Sequence, residues 1–314
     1  MSFIRHIPAF AGQISTLYHL KPGDLFLDLT LGDGGHSQEA LEAGARVVSL
    51  DVDLESIDRA TNFLSSKFSP IIVRPEMKTE IPTDFKWLIV YANFKNIGKL
   101  KEELNLPLFN GIIADLGTSQ YQLLSPERGF SFNLPGPLDM RLDARLGVSA
   151  SDLINVLSGS ELEQLLRLVD EYQARPIVKA IVTARKIAPI TTTDQLSRIV
   201  AGAKRVSSTR INPATKTFMA LRMAVNLERE SLQEMLSAIP DLLLAGGTMG
   251  IISFHSGEDR LVKHLIKEKA KAGILRVINV KPLKPTPNEL HTNPKVRSAK
   301  LRLASRIGPL AQKV

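Results

Sequence analysis

Short apolar runs alternate with helical spacing along the first part of the chain. Residues 24–31 (DLFLDLTL) alternate and then fill with apolar side chains, the pattern of a buried strand. A glycine-rich turn follows, Gly32-Asp33-Gly34-Gly35, and the next residues predict a helix over 37–43. RVVSLD at 46–51 predicts a second strand ending in an acid, and 55–68 an amphipathic helix. Together these make a βαβ unit with a glycine-rich first turn. SPIIVRP and WLIVYA predict two more strands, parted by a polar stretch over 76–85 that reads as a hairpin-like insertion. A short helix over 95–104 and a buried strand over 111–116 (GIIADL) complete the alternation.

Residues 117–148 break it. They are rich in Gly, Pro, Ser and Arg, and so long an irregular segment is commonly a functional loop or a domain crossing. From 149 to 236 nearly every segment has helical periodicity, with Ser151, Ser160 and Thr193 as N-cap candidates. A Gly-Gly turn and buried strand then return at 245–254, followed by a helix over 258–271 and strands over 275–280 and 300–306. The pattern predicts an α/β fold, an open Rossmann-like sheet interrupted by an all-helical insertion. Residues 1–135 and 232–314 would form the discontinuous sheet domain and 136–231 the inserted helical domain.

Composition narrows the function. The 314 residues are 44% hydrophobic and 23% charged, which excludes a disordered or low-complexity chain. The absence of cysteine excludes disulfides, thiolate metal sites and cysteine nucleophiles together. No His/Asp/Glu cluster has metal-ligand spacing, so no metal is expected. No apolar run approaches about 18 residues, so no membrane helix is expected, and Met1 to Pro8 carry no secretory signal pattern. A cytoplasmic protein is the expectation. The net charge is +8, and its location matters more than its size. Residues 261–314 hold 13 Lys or Arg against Glu268 and Glu289, which leaves residues 1–260 at net −3. A basic segment on a near-neutral body points to a polyanionic partner, nucleic acid first.

The glycine turn lets a ligand approach the backbone closely. Asp51 stands 19 residues after Gly32, where a carboxylate can accept hydrogen bonds from ribose hydroxyls. Two cofactors suit this layout, a dinucleotide and S-adenosylmethionine. Asp28 just before the turn and Asp33 within it would repel a pyrophosphate but suit a cationic methionine moiety, and the spacing is G-x-G-G, not G-x-G-x-x-G. S-adenosylmethionine is therefore the favoured cofactor. Asp115 ends the next strand of the series. Phe94, after the fourth strand, is either a wall for an adenine ring or a core side chain. His36 either touches ligand or only caps and packs.

Several motifs go further. The chain carries DLTLGDGGHS, LDVD, GIIADLG, ERGFSF, GPLDMR, NPATKTFMALRMAVN, GGTMGIISFHSGEDR and NPKVRSAKLR in that order. In these it resembles the bacterial 16S ribosomal RNA cytosine-N4 methyltransferase family (RsmH, or MraW). The resemblance implies a class I S-adenosylmethionine-dependent methyltransferase with a helical domain inserted in its sheet. It implies methylation of the exocyclic amine of a cytosine in the decoding centre of the small ribosomal subunit, with a monomer or homodimer both open. It places cofactor contacts on Gly34, Gly35, His36, Asp51, Phe94, Asp115 and Gln122. There are departures from the family pattern. Gln120 and Leu124 stand where Ser and Asp are usual, Asp170-Glu171-Tyr172 replaces Gly-Glu-Glu, Gly257 replaces Leu, and 75–84 looks inserted.

A cytosine amine is a poor nucleophile, because its lone pair is delocalised into the ring. It must be held in line with the methyl group and relieved of a proton. Asp115 is the first candidate to accept from the amine. His255, at a later strand end, is the second, and Ser119 is a weaker one. Phe130 and Phe132 beside Arg128 could stack an unstacked base, or equally anchor the loop. Arg141, Lys216, Arg222, Lys295, Arg297, Lys300 and Arg302 are candidates for phosphates. The rival functions are a methyltransferase of a protein or small molecule, a non-catalytic ribosome assembly factor keeping the fold, and a nicotinamide oxidoreductase.

Overall fold

The structure, a computed structural model, describes residues 7–74, 81–204 and 212–308. In chain order its elements begin with α1 (Ile14–Tyr18), β1 (Leu25–Asp28), α2 (Gly35–Glu42), β2 (Arg46–Asp51) and α3 (Leu54–Leu64). β3 (Ile71–Val73), β4 (Trp87–Tyr91), α4 (Ile97–Glu103) and β5 (Phe109–Asp115) follow. Then come α5 (Gln120–Leu124), α6 (Ala150–Val156), α7 (Gly159–Leu168), α8 (Ala174–Arg185), α9 (Thr193–Ala203), α10 (Thr215–Val225) and α11 (Glu228–Ala238). The last are β6 (Leu243–Ser253), α12 (Ser256–Lys271), β7 (Leu275–Val277), α13 (Pro287–Thr292) and β8 (Lys300–Arg306).

The described residues fall into two compact units. One runs up to Gly117 and resumes at Glu230; the other is Thr118–Arg229. The first holds an eight-stranded sheet in the order β3-β4-β2-β1-β5-β6-β8-β7. β1 to β6 are mutually parallel, and β8 pairs antiparallel with both β6 and β7. This is an open, Rossmann-like α/β sheet.

Both faces of the sheet are covered, which explains its filled apolar strands. Successive side chains point to opposite faces. Leu27, Val48, Leu88 and Val90 join one core, with Met235 and Val262. Phe26, Val47, Trp87 and Ile89 join the other, with Ile14 and Leu41. Tyr18 packs edge-on to Phe26, and its hydroxyl donates to the Ile112 carbonyl at 3.0 Å. A Cβ at Gly250 would lie 2.2 Å from that hydroxyl, so β6 needs glycine where the ring crosses it.

The second unit has its own core, in which Phe130, Leu138 and Met140 meet Ile154, Leu166, Ile177, Leu196 and Phe218. Those loop side chains are why the segment from 118 groups with the helices.

Two local expectations change. The stretch between the third and fourth strands is not a hairpin, since β3 and β4 pair in parallel. A parallel pair needs a crossover and cannot be joined by a tight turn. Residues 75–80 of the apparent insertion lie outside the described residues. The helix caps are Ser149, Ser158 and Thr192, in place of Ser151, Ser160 and Thr193. A capping box needs its acid or amide three residues on, and Asp152, Glu161 and Gln195 stand there.

Candidate active site

The chain leaves β1 for β2 and β4 on one side, then returns to β5 on the other. The carboxyl ends of β1 and β5 therefore flank a topological switch point, where open α/β sheets bind ligands. The loop after β1 closes over this edge. Gly32 has φ +51°, a left-handed conformation that suits glycine, and a Cβ there would meet nothing nearer than the Thr30 carbonyl at 4.0 Å. Gly34 caps α2 and Gly35 opens it. A Cβ on Gly34 would press on Ala60 at 3.2 Å, and one on Gly35 on Pro8 at 2.7 Å.

Asp51 ties the second strand to the loop. Its Oδ2 accepts the Gly32 N–H at 2.9 Å and its Oδ1 the Asp53 N–H at 2.9 Å. Burial pushes its carboxyl up to about 7, against the pull of those amides. Asp115 ends β5, with its amide donating to Thr30 Oγ1 at 2.6 Å. Its Oδ2 lies 3.4 Å from Nε2 of His36, which is 2% exposed on the first turn of α2. Burial favours the neutral imidazole. The Asp115 carboxylate, helped by Asp28 and Glu39, outweighs this and raises its pKa. Phe94 is half-buried against the core in a short 3-10 turn after β4.

The two acids that argued for a cationic ligand act elsewhere. Asp28 is fully enclosed, its Oδ1 accepting the Thr30 N–H at 3.1 Å and its Oδ2 the Ser37 hydroxyl at 2.6 Å. Both its oxygens are taken up within the chain, so it braces the loop from below. Burial raises its pKa, only partly offset by His36, Ser37 and the Thr30 amide. Asp33 is held by Arg59 Nε at 2.8 Å, which neutralises it locally.

His255 is likewise committed. It is the N-cap of α12: its Nδ1 accepts the Gly257 and Glu258 amides at 3.2 and 3.4 Å, and its Nε2 lies 3.0 Å from Glu258 Oε1. The Nδ1 lone pair is thus occupied, while Nε2 is buried and makes no hydrogen bond. The expected catalytic histidine is a helix cap.

In the helical unit, Ser119 caps α5 and Gln122 completes its capping box, its side-chain carbonyl accepting the Ser119 N–H at 2.9 Å. Phe130 is buried and Phe132 packs edge-on to Phe218, so the expected base-stacking pair anchors the loop to the core. Arg128 donates to the Arg141 and Leu142 carbonyls. Arg141 grips Asp139 at 2.8 and 2.7 Å, and Arg222 grips Glu228 at 2.8 and 2.9 Å. Lys216 donates to the Asp170 carbonyl and sits 5.1 Å over the ring of Tyr172. In the sheet unit Arg302 is 7% exposed and bound to Asp259 at 2.6 Å, with Lys300 at 3.6 Å from the same carboxylate. Four of these arginines are thus structural, because each meets an acid or carbonyl of its own unit. Lys295 and Arg297 are exposed.

Comparison with known proteins decides the family. The model described as the MraW methylase family matches residues 3–307. The chain belongs to the MraW methylase family. It is 39% identical over 310 residues to the ribosomal RNA small subunit methyltransferase H of a Cyanothece species, covering 97% of this chain and 96% of that one. It is 40% identical over 311 residues to the protein of that name from Gloeothece citriformis, with 98% and 95% covered. With the one from Trichlorobacter lovleyi it shares 38% over 326 residues, with 98% and 100% covered.

An MraW methylase uses S-adenosylmethionine, and the edge fits that group. Asp115 Oδ1 and Nδ1 of His36 are buried without a hydrogen-bond partner. They adjoin the loop after β1, where a Cβ on Gly32 would touch only the Thr30 carbonyl, at 4.0 Å. Such orphaned polar atoms are rare unless a ligand or water meets them. The sequence reading missed Thr30, which joins the ends of β1 and β5 through its amide and hydroxyl. Its place between Asp28 and Gly32 was the available signal. It also missed Arg59, which stands 26 residues from its partner Asp33.

Proposed function

We propose that this MraW methylase transfers a methyl group from S-adenosylmethionine to the N4 amine of a cytosine in the decoding centre of 16S ribosomal RNA. The substrate would be the cytoplasmic small ribosomal subunit. The relatives' names support ribosomal RNA as the substrate, and the motif resemblance supports the cytosine amine. The observation that carries the chemistry is the Asp115 carboxylate, with one oxygen beside buried His36 and the other without a partner.

When bound, S-adenosylmethionine supplies an electrophilic methyl group on a sulfonium. Gly32, Gly34 and Gly35 let the backbone approach it, Asp51 accepts from the ribose hydroxyls, and Phe94 offers a half-buried ring to the adenine. Gln122 joins them on the resemblance alone. Asp115 Oδ1 accepts a hydrogen bond from the cytosine amine, which localises the lone pair on nitrogen and gives the departing proton a destination. His36 acts through Asp115: its Nε2, 3.4 Å from Oδ2, holds the carboxylate in place. The helical unit 118–229 serves as the substrate-recognition domain. Of the basic residues first singled out, the exposed Lys295 and Arg297 remain suited to phosphates.

The test is transfer of labelled methyl from S-adenosylmethionine to small subunits lacking the modification, across a salt series. Label in RNA, with an apparent affinity that weakens steeply with salt, supports the proposal. Label in ribosomal protein, or none, contradicts it.

A further inference from the structure

Helix α12 leaves the site-facing end of β6 and carries cations that the reading above does not use. Arg260, Lys263, His264, Lys267 and Lys271 are all exposed. At 100° per residue these positions fall within an arc of about 100° on one side of the helix. Glu258, Val262 and Ile266 occupy the opposite side and are buried. Among the described residues, none of the four Lys or Arg in the stripe forms an ion pair. The basic neighbour that does, Lys269, reaches Glu268 at 3.4 Å and lies off the stripe. Over the eleven helical steps from Arg260 to Lys271 the stripe is about 16 Å long.

Unpaired cations in a row on a rigid helix lose little side-chain order to one another and are free for an extended anion. Stable attachment to a membrane would need an inserted apolar flank beside the charges, and the apolar side of α12 is already covered, with Val262 at 1% and Ile266 at 4% exposure. A nucleic-acid backbone needs only the charges.

We propose that the outer face of α12 is a phosphate track on which the ribosomal RNA flanking the target nucleotide docks. The track begins at the end of the sheet that carries Asp115, since α12 follows β6 and β6 is parallel to β5. RNA held along it is thereby led toward the site. This rests on the reading of ribosomal RNA as substrate and adds where that RNA is gripped.

The experiment compares the wild-type chain with Lys263→Gln/Lys267→Gln/Lys271→Gln. A control, Lys21→Gln/Lys86→Gln/Lys99→Gln, removes the same three charges elsewhere on the sheet unit. Gln is a good helix former, so α12 is retained. Affinity for 16S RNA and for small subunits is measured from low to high salt, and S-adenosylmethionine binding by calorimetry. The α12 variant is expected to bind RNA at least about tenfold more weakly near 0.1 M salt, with a salt slope shallower by about 2 to 3. Its S-adenosylmethionine affinity should be unchanged and the control should match wild type. Equal losses in both triples, or no loss in the α12 variant, would overturn the track. So would an α12-dependent loss for phosphatidylglycerol–phosphatidylcholine vesicles without one for RNA. Wild-type chain that binds RNA through α12 but transfers no methyl to it would overturn the proposed function and leave the track standing.

Discussion

At the scale of single residues the site rests on two carboxylates in different surroundings. Asp51 is pushed up to about 7 by burial, so near neutral pH it is part protonated. Only the ionised form accepts fully from two ribose hydroxyls. S-adenosylmethionine affinity should therefore rise about tenfold from pH 6 to pH 8, and Asp51→Asn should bind weakly with no such rise; calorimetry across that range checks it. Stability runs the other way. The folded pKa lies above the ordinary carboxylate value, so the folded state holds the extra proton between about pH 4 and 7. This group's stabilisation is lost as pH rises through that window. Asp51 and Asp115 could be placed at strand ends from their spacing alone. The neutralisation of Asp33 by Arg59 and the enclosure of Asp28 by Ser37 could not, because both depend on contacts made only once α2 and α3 pack on the sheet. The same limit applies to Arg302, whose partner Asp259 stands 43 residues away on another element.

At the scale of elements, α12 depends on an unusual cap. If His255 acts only as that cap, His255→Ala should cost about 1 kcal/mol and lower Tm by about 2–4 °C, with kcat within a few-fold of wild type. An unchanged melting curve with a hundredfold lower kcat would restore His255 to the chemistry. Gly250→Ala should destabilise by about 1–3 kcal/mol, because the new methyl meets the Tyr18 hydroxyl. Adding Tyr18→Phe should recover part of that loss, as a double-mutant cycle in urea would measure. Strands were the most legible elements. β2 and β8 match the apolar runs at 46–51 and 300–306 residue for residue, because a strand buried on both faces is a filled run bounded by turn residues. Caps were legible only to within two residues, since Ser149 and Ser151 both precede Asp152 and only the hydrogen-bonded ring distinguishes them. The pairing of β3 was not legible, because three residues carry no mark of direction.

At the scale of the whole molecule, the interruption of the sheet was visible as the end of the strand pattern after 116. Where the chain changes unit was less so: Phe130 and Met140 look like loop residues in sequence but fill the helical core. Because the residues of that core all lie within 118–229, this segment expressed alone should give a helical spectrum and a cooperative thermal transition. A gradual, non-cooperative loss of ellipticity would contradict an independent core. The basic excess of residues 261–314 also needed the structure to be interpreted. It includes Arg302 and Lys300, held by Asp259, and Lys263, Lys267 and Lys271 of the exposed row on α12, none of which forms an ion pair among the described residues.

The proposed function makes Asp115 the hydrogen-bond acceptor in methyl transfer to a cytosine amine. The most direct measurement transfers tritiated methyl from S-adenosylmethionine to small subunits from a strain deleted for this gene, with wild type and Asp115→Ala side by side. The ribosomal RNA is then digested to nucleosides and the label identified by chromatography. The expected result is label in N4-methylcytidine with wild type, and at least a hundredfold less with the variant under saturating cofactor. Label in a ring-methylated cytidine or another nucleoside, or full activity in Asp115→Ala, would contradict it.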